Sequence, residues 1–133
     1  MGKEAVFNTS RSKRPQPLKL GENTLNPSMT ISESLVEPDP FCSYQTLTPI
    51  DELGRIENKT AVTASNLSKM ADYHSLIIFK KHNLPDINEA DFISALNLAQ
   101  EWFEKIKNFD QGIKTKILIW NYHYRSGASI LHP

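Results

Sequence analysis

The sequence predicts an α+β domain, and three observations carry that expectation. Residues 89–108 repeat apolar side chains at helical spacing, and two apolar runs rich in β-branched residues, 75–79 and 113–121, flank them. The first forty residues hold too many prolines for any long helix. A strand, a long helix and a second strand in that order give an α+β layout, with the helix covering a sheet.

Pro15, Pro17, Pro27, Pro38 and Pro40 bias their predecessors to extended backbone, so residues 1–40 read as an irregular, Pro-containing arm. Thr48-Pro49-Ile50-Asp51 reads as the start of a short helix capped by Thr48, with Gly54 as its stop. Residues 55–64 read as a strand or hairpin, in which Glu57-Asn58-Lys59 turns between Ile56 and the run Thr60, Val62, Thr63. The run 75–79, Ser-Leu-Ile-Ile-Phe, is apolar enough for a strand buried on both faces. For the long helix, Asn88 is the cap and Asp91 the capping-box acid. Phe92, Leu96, Ala99, Phe103 and Ile106 form one face, widened by Ala95, Leu98, Trp102 and Phe109, with Gly112 as the stop. Ile117, Leu118, Ile119 and Trp120 then centre a strand at 113–121, followed by a polar loop over 122–133.

Composition narrows the function. A chain of 133 residues makes one domain, and a mean hydropathy of −0.43 leaves a modest core. There is no run of about 18 apolar residues and no secretory leader pattern, so a membrane protein or an exported one is not expected. A single cysteine, Cys42, excludes an intrachain disulfide and fits a reducing compartment; the expected location is cytoplasmic. Lys plus Arg and Asp plus Glu both number 15, so no global field draws nucleic acid or anionic lipid. The charge is uneven, however: residues 1–19 are net +4, 20–58 net −6 and 59–133 net +2. The basic cluster Arg11, Lys13, Arg14 reads either as a solvated tail or as a phosphate contact, since guanidinium forks match phosphate oxygens.

There is no Gly-rich phosphate loop and no Cys-x-x-Cys pair. What stands out is Asp39-Pro40-Phe41-Cys42, a carboxylate and a thiol at the spacing of a metal-binding pair. Both types bind zinc, and His82 and His132 are available to complete four ligands. Equally, Cys42 reads as a small buried side chain, and His74 and His82 as rim histidines beside a strand. Trp102 and Phe103 read as core.

The carboxyl end narrows these alternatives. Asn121-Tyr-His-Tyr-Arg-Ser-Gly127-Ala128-Ser129-Ile-Leu-His132-Pro133 resembles the active-site segment of the galactose-1-phosphate uridylyltransferase family, part of the histidine-triad superfamily. That segment carries an Asn, a Gly-x-Ser stretch and then His-Pro-His. Its second histidine attacks the α-phosphorus of UDP-glucose, and a hexose-1-phosphate resolves the uridylyl-histidine. Upstream, the run from Ser10 to Pro15 is similar to the family's basic arm, Asp39-x-x-Cys42 to its Cys-x-x-Cys, and Asn66 to its uridine-contacting asparagine. His82 and His132 match its zinc-ligating histidines.

The resemblance implies a histidine-triad-like antiparallel sheet under the long helix, with residues 41–133 as the N-terminal part of the domain. The nucleophile is then expected directly after Pro133, outside the 133 residues. It further implies substrate contacts from Arg11, Arg14, Asn66, Asn121, Gly127, Ala128 and Ser129, and a zinc set of Asp39, Cys42, His82 and His132. Nucleotide sugar and sugar phosphate are the implied partners, with a homodimer as the complete protein. Aspartate stands at 39 where the family has cysteine, a harder donor than thiolate. Dinucleoside polyphosphate phosphorylases share the motif, and a non-catalytic binding module is the alternative of another class.

Overall fold

The computed structural model describes residues 39–122, 128 and 130–133. Of the arm expected over residues 1–40, residues 1–38 lie outside them. The architecture is α+β, an antiparallel two-stranded sheet with one long helix against it. In chain order the elements are α1 (Tyr44–Leu47), β1 (Ala61–Ser65), β2 (Ser75–Phe79), a 3-10 turn at Leu84–Asp86, and α2 (Glu89–Phe109).

The short helix precedes Thr48 instead of following it. Thr48 closes α1: its backbone N–H and its Oγ1 both bond the Tyr44 carbonyl. The Arg55 guanidinium donates to the Tyr44 and Thr48 carbonyls at 2.9 Å each, supplying cationic donors where a helix end leaves carbonyls unpaired. Asp51 to Gly54 is a turn, with Gly54 N–H on the Asp51 carbonyl at 2.8 Å and Gly54 at φ +84°, a backbone that favours glycine. The expected hairpin over 55–64 does form. Asn58 Oδ1 accepts from the Thr60 and Ala61 amides at 2.9 Å each, which fixes the turn, while its Nδ2 reaches the Ser94 carbonyl of α2.

β1 and β2 pair with Ala61 opposite Phe79 and Ser65 opposite Ser75. Alternation divides their side chains between two faces. Ala61 and Phe79 join Ile56, Ala95, Leu98, Trp102 and Ile106 on the α2 side. Val62, Ala64 and Ile78 join Tyr44, with Phe41 and Leu76 alongside, on the other. The strand buried along its whole length is β1, not β2, of which only Ile78 and Phe79 are buried. The sequence Ala-Val-Thr-Ala-Ser concealed this, because small side chains signal little hydrophobicity while fitting between two close layers.

α2 starts on the expected capping box: Asn88 Oδ1 accepts from Asp91 N–H, and the Asp91 carboxylate accepts from Asn88 N–H. Its buried face is rotated from the expected one. Asp91, Ala95, Leu98, Ala99, Trp102 and Ile106 face inward, Phe92 and Phe103 flank them, and Leu96 and Phe109 are exposed. The 113–121 segment is not a strand. Ile117, Leu118, Ile119 and Trp120 are exposed, and among the described residues no ladder includes them. Contacts with α2 hold it, among them Lys116 on Glu104 and Trp120 stacked on Phe92 at 4.8 Å. An apolar run specifies a strand only if an edge is offered to it, and here helix contacts took its place. Among the described residues no helix is long and apolar enough to cross a membrane.

Candidate metal centre

Three chain segments meet at the Phe79 end of the sheet. The first is the turn before α1, where Asp39 Oδ1 accepts from Phe41 N–H at 2.8 Å, an Asx turn of the kind that Asp-Pro favours. The turn leaves Oδ2 for other partners and brings Cys42 Sγ to 3.3 Å from it. The second is the loop leaving β2, which carries His82. The third is the carboxyl end, which carries His132.

These four side chains converge. His132 Nδ1 lies 2.8 Å and His82 Nδ1 3.0 Å from Asp39 Oδ2. Cys42 Sγ lies 3.1 Å from His82 Nδ1 and 3.9 Å from His132 Nδ1. One donor atom from each residue falls within 4.8 Å of all the others. A tetrahedral ion with bonds of about 2.0–2.3 Å would hold its ligands roughly 3.3–3.8 Å apart, so changes of about 0.5–1.5 Å in the separations would bring all four onto one ion. The four residues therefore form a group able to hold a metal ion. Asp39 and His132 are buried, His82 is half-buried and Cys42 is exposed.

The outer contacts suit the same chemistry. His132 Nε2 lies 2.6 Å from the Phe79 carbonyl, which can only accept, so Nε2 carries the hydrogen. Without an ion the ring donates from Nδ1 to Asp39 Oδ2 as well; a metal ion held here would take the Nδ1 lone pair in place of that hydrogen, the usual way an outer hydrogen bond fixes a ligating tautomer. The Phe79 amide in turn donates to the Pro133 carbonyl at 2.9 Å. Proline has no N–H to return, and the imidazole N–H of His132 fills that place on the Phe79 carbonyl. Phe41 packs edge-on against the His132 ring at 5.6 Å. Burial alone would raise the Asp39 carboxyl; hydrogen bonds from His132, Phe41 N–H and Cys42, with the charge of His132, outweigh it and hold the group below its ordinary range.

Comparison with family models, with curated proteins and with solved structures finds no match.

Of the other expected site residues, Asn66 lies just past β1, at the far end of the sheet. Its Oδ1 accepts from Ser68 N–H and its Nδ2 meets His74 Nε2 at 3.0 Å. Five residues of extended chain from Ala61 put it roughly 17 Å from the Phe79 end, so it is not part of the metal group. Asn121 is exposed and Ala128 half-buried. Arg11, Arg14, Gly127 and Ser129 lie outside the described residues. The Phe79 backbone, which both residues of the carboxyl end meet, carries no chemical signature in the sequence; the paired His132-Pro133, a ring donor beside a residue without an N–H, is the one local sign of it.

Proposed function

We propose that this chain forms part of a nucleotidyltransferase of the galactose-1-phosphate uridylyltransferase type, moving UMP between UDP-glucose and a hexose-1-phosphate. In this reading Asp39, Cys42, His82 and His132 hold a zinc ion. The observation that carries it is their convergence, because residues 39, 42, 82 and 132 are the positions that the resemblance assigns to zinc. Two anionic and two neutral donors balance a divalent ion, which favours the pairing in a partly buried site. Four protein ligands leave no open coordination position, so the ion is structural and does not activate water. Its chemistry is that of a cross-link between three segments.

The residues expected to meet substrate are Asn66 and Asn121, with Ala128 and the flanking Gly127 and Ser129, while Arg11 and Arg14 would bring charge to the phosphates. The test is calorimetric titration of UDP and UDP-glucose into the zinc-loaded chain, with Asn66→Ala and Arg14→Ala beside it. Saturable uridine-nucleotide binding, weakened in both variants by about 1–3 kcal/mol each, is expected for hydrogen bonds to charged or polar ligand groups. No binding of either nucleotide at millimolar concentration, or equal binding by both variants, would refute the reading.

A further inference from the structure

The amides of β2 divide between two directions. Lys80 N–H bonds the Thr60 carbonyl, and alternation turns the Ile78 amide the same way, toward β1. The Phe79 amide points outward, and its partner is the Pro133 carbonyl. The Phe79 carbonyl, on that same outer edge, is held by His132 Nε2. One residue of β2, Phe79, thus makes both of its outer backbone hydrogen bonds with residues 132 and 133.

At its other nitrogen His132 meets Asp39 Oδ2 and Cys42 Sγ, and its ring packs edge-on against that of His82. A single ring therefore links the metal group to the sheet edge: Nδ1 faces the donors, Nε2 faces Phe79. Phe41 packs on the ring. Neither His132 nor Pro133 belongs to the cluster that binds α2 to the sheet.

We infer that metal occupancy at Asp39, Cys42, His82 and His132 acts as a latch that fastens the His132-Pro133 segment to the outer edge of β2, while β1, β2 and α2 hold together without it. This rests on the zinc reading above and adds a conformational role for the ion. When zinc is bound, opening of the Phe79–Pro133 bond requires His132 to leave the ion. When zinc is absent, only the hydrogen bonds of His132 and Pro133 resist opening.

The experiment is residue-resolved amide exchange by NMR on the full 133-residue chain, zinc-saturated and chelator-treated, with bound zinc measured by elemental analysis. At free zinc about 100 times the dissociation constant, a metal that binds only the closed form suppresses opening about 100-fold. Exchange at Phe79 should slow by about that factor on zinc loading, while Ile78, Lys80 and Leu98 stay unchanged. The Cys42→Ser variant, which leaves the His132–Phe79 contact intact, should show the chelated rate at Phe79 even in zinc. Stoichiometric zinc with no change at Phe79 would overturn the latch and leave the metal reading standing. Absence of bound zinc would overturn both. A zinc effect of equal size at Phe79, Ile78 and Leu98 would also overturn it, by making the ion a global stabiliser.

Discussion

Replacing Asp39 with asparagine separates the carboxylate's charge from its structural role. The Asp39 side chain does two jobs with two oxygens. Oδ1 closes the turn by accepting from Phe41 N–H, and Oδ2 faces His82, His132 and Cys42. An asparagine oxygen can keep the first contact, so the turn survives; the second loses its anion. Structural zinc sites in peptides bind with about 10–16 kcal/mol, so an even share among four ligands is about 3 kcal/mol. At 1.4 kcal/mol per decade this is an affinity loss of about two orders of magnitude. The assay is competition for zinc against a chromophoric chelator, paired with urea unfolding of both proteins in excess chelator. Asp39→Asn is expected to lose zinc to the competitor while its chelated fold remains close to wild type. A variant that binds zinc as tightly as the parent would show that Oδ2 is not a ligand, and the four-donor centre would fall with it.

Two further outcomes test the frame around the centre. Asp51 Oδ2 accepts from Ser75 Oγ at 2.7 Å and from Trp102 Nε1 at 3.3 Å, tying the loop before the hairpin to β2 and α2. Ser75 retains the Ala64 carbonyl as an alternative acceptor, so Asp51→Ala mainly orphans the buried indole N–H and should cost about 1–3 kcal/mol in urea unfolding. An equal cost of Asp51→Ala in the wild-type and Trp102→Phe backgrounds would refute that coupling. The second concerns acid. The hydrogen bond from Lys81, then the Asn88 amide, hold the Asp91 carboxyl below its ordinary value of 3.8. A carboxyl depressed on folding contributes stability above the unfolded value and loses it as pH falls through the folded one. The stability gap between wild type and Asp91→Asn should therefore be full near neutral pH and close below about pH 3.8. A gap that persists unchanged in acid would show that the charge of Asp91 contributes nothing.

How far the sequence carried the fold can be judged element by element. β2 and α2 were legible because each is specified locally: five apolar or β-prone residues in a row, and a capping box followed by a long period of 3.6. The rotation of the buried face of α2 was not legible. Phe92, Leu96 and Phe103 look more hydrophobic than Ala95 and Ala99, but the small residues let helix and sheet approach. α1 was misplaced because Thr48-Pro49 is an equally good helix start and helix stop; the Arg55 fork on the preceding carbonyls decides for the stop. The 113–121 segment misled because its apolar run looks like a strand whatever lies beside it. The metal donors were legible as residue types and spacing, since Asp39-x-x-Cys42 is local. That His82 and His132 would meet them depended on the two ends of a chain segment of fifty residues returning to Phe79, which no local pattern encodes.

The placement of the centre follows from how little else holds its segments. The cluster between α2 and the sheet contains no residue from 39–42 or 130–133, and the opposite face receives only Phe41 and Tyr44 from the first turn and α1. A sheet of two strands cannot offer a wide apolar surface to both ends of the domain. Where hydrophobic area is short, small folds turn to cross-links, and a metal closes long loops at a gain that grows with their length. Here the loop from Cys42 to His132 spans ninety residues. Joining its ends at Phe79 places the constraint on an edge that a third strand would otherwise occupy. His132 and Pro133 supply that edge with one backbone acceptor and one ring donor in place of a full ladder, so a metal held at this imidazole would constrain the edge apart from the helix–sheet core.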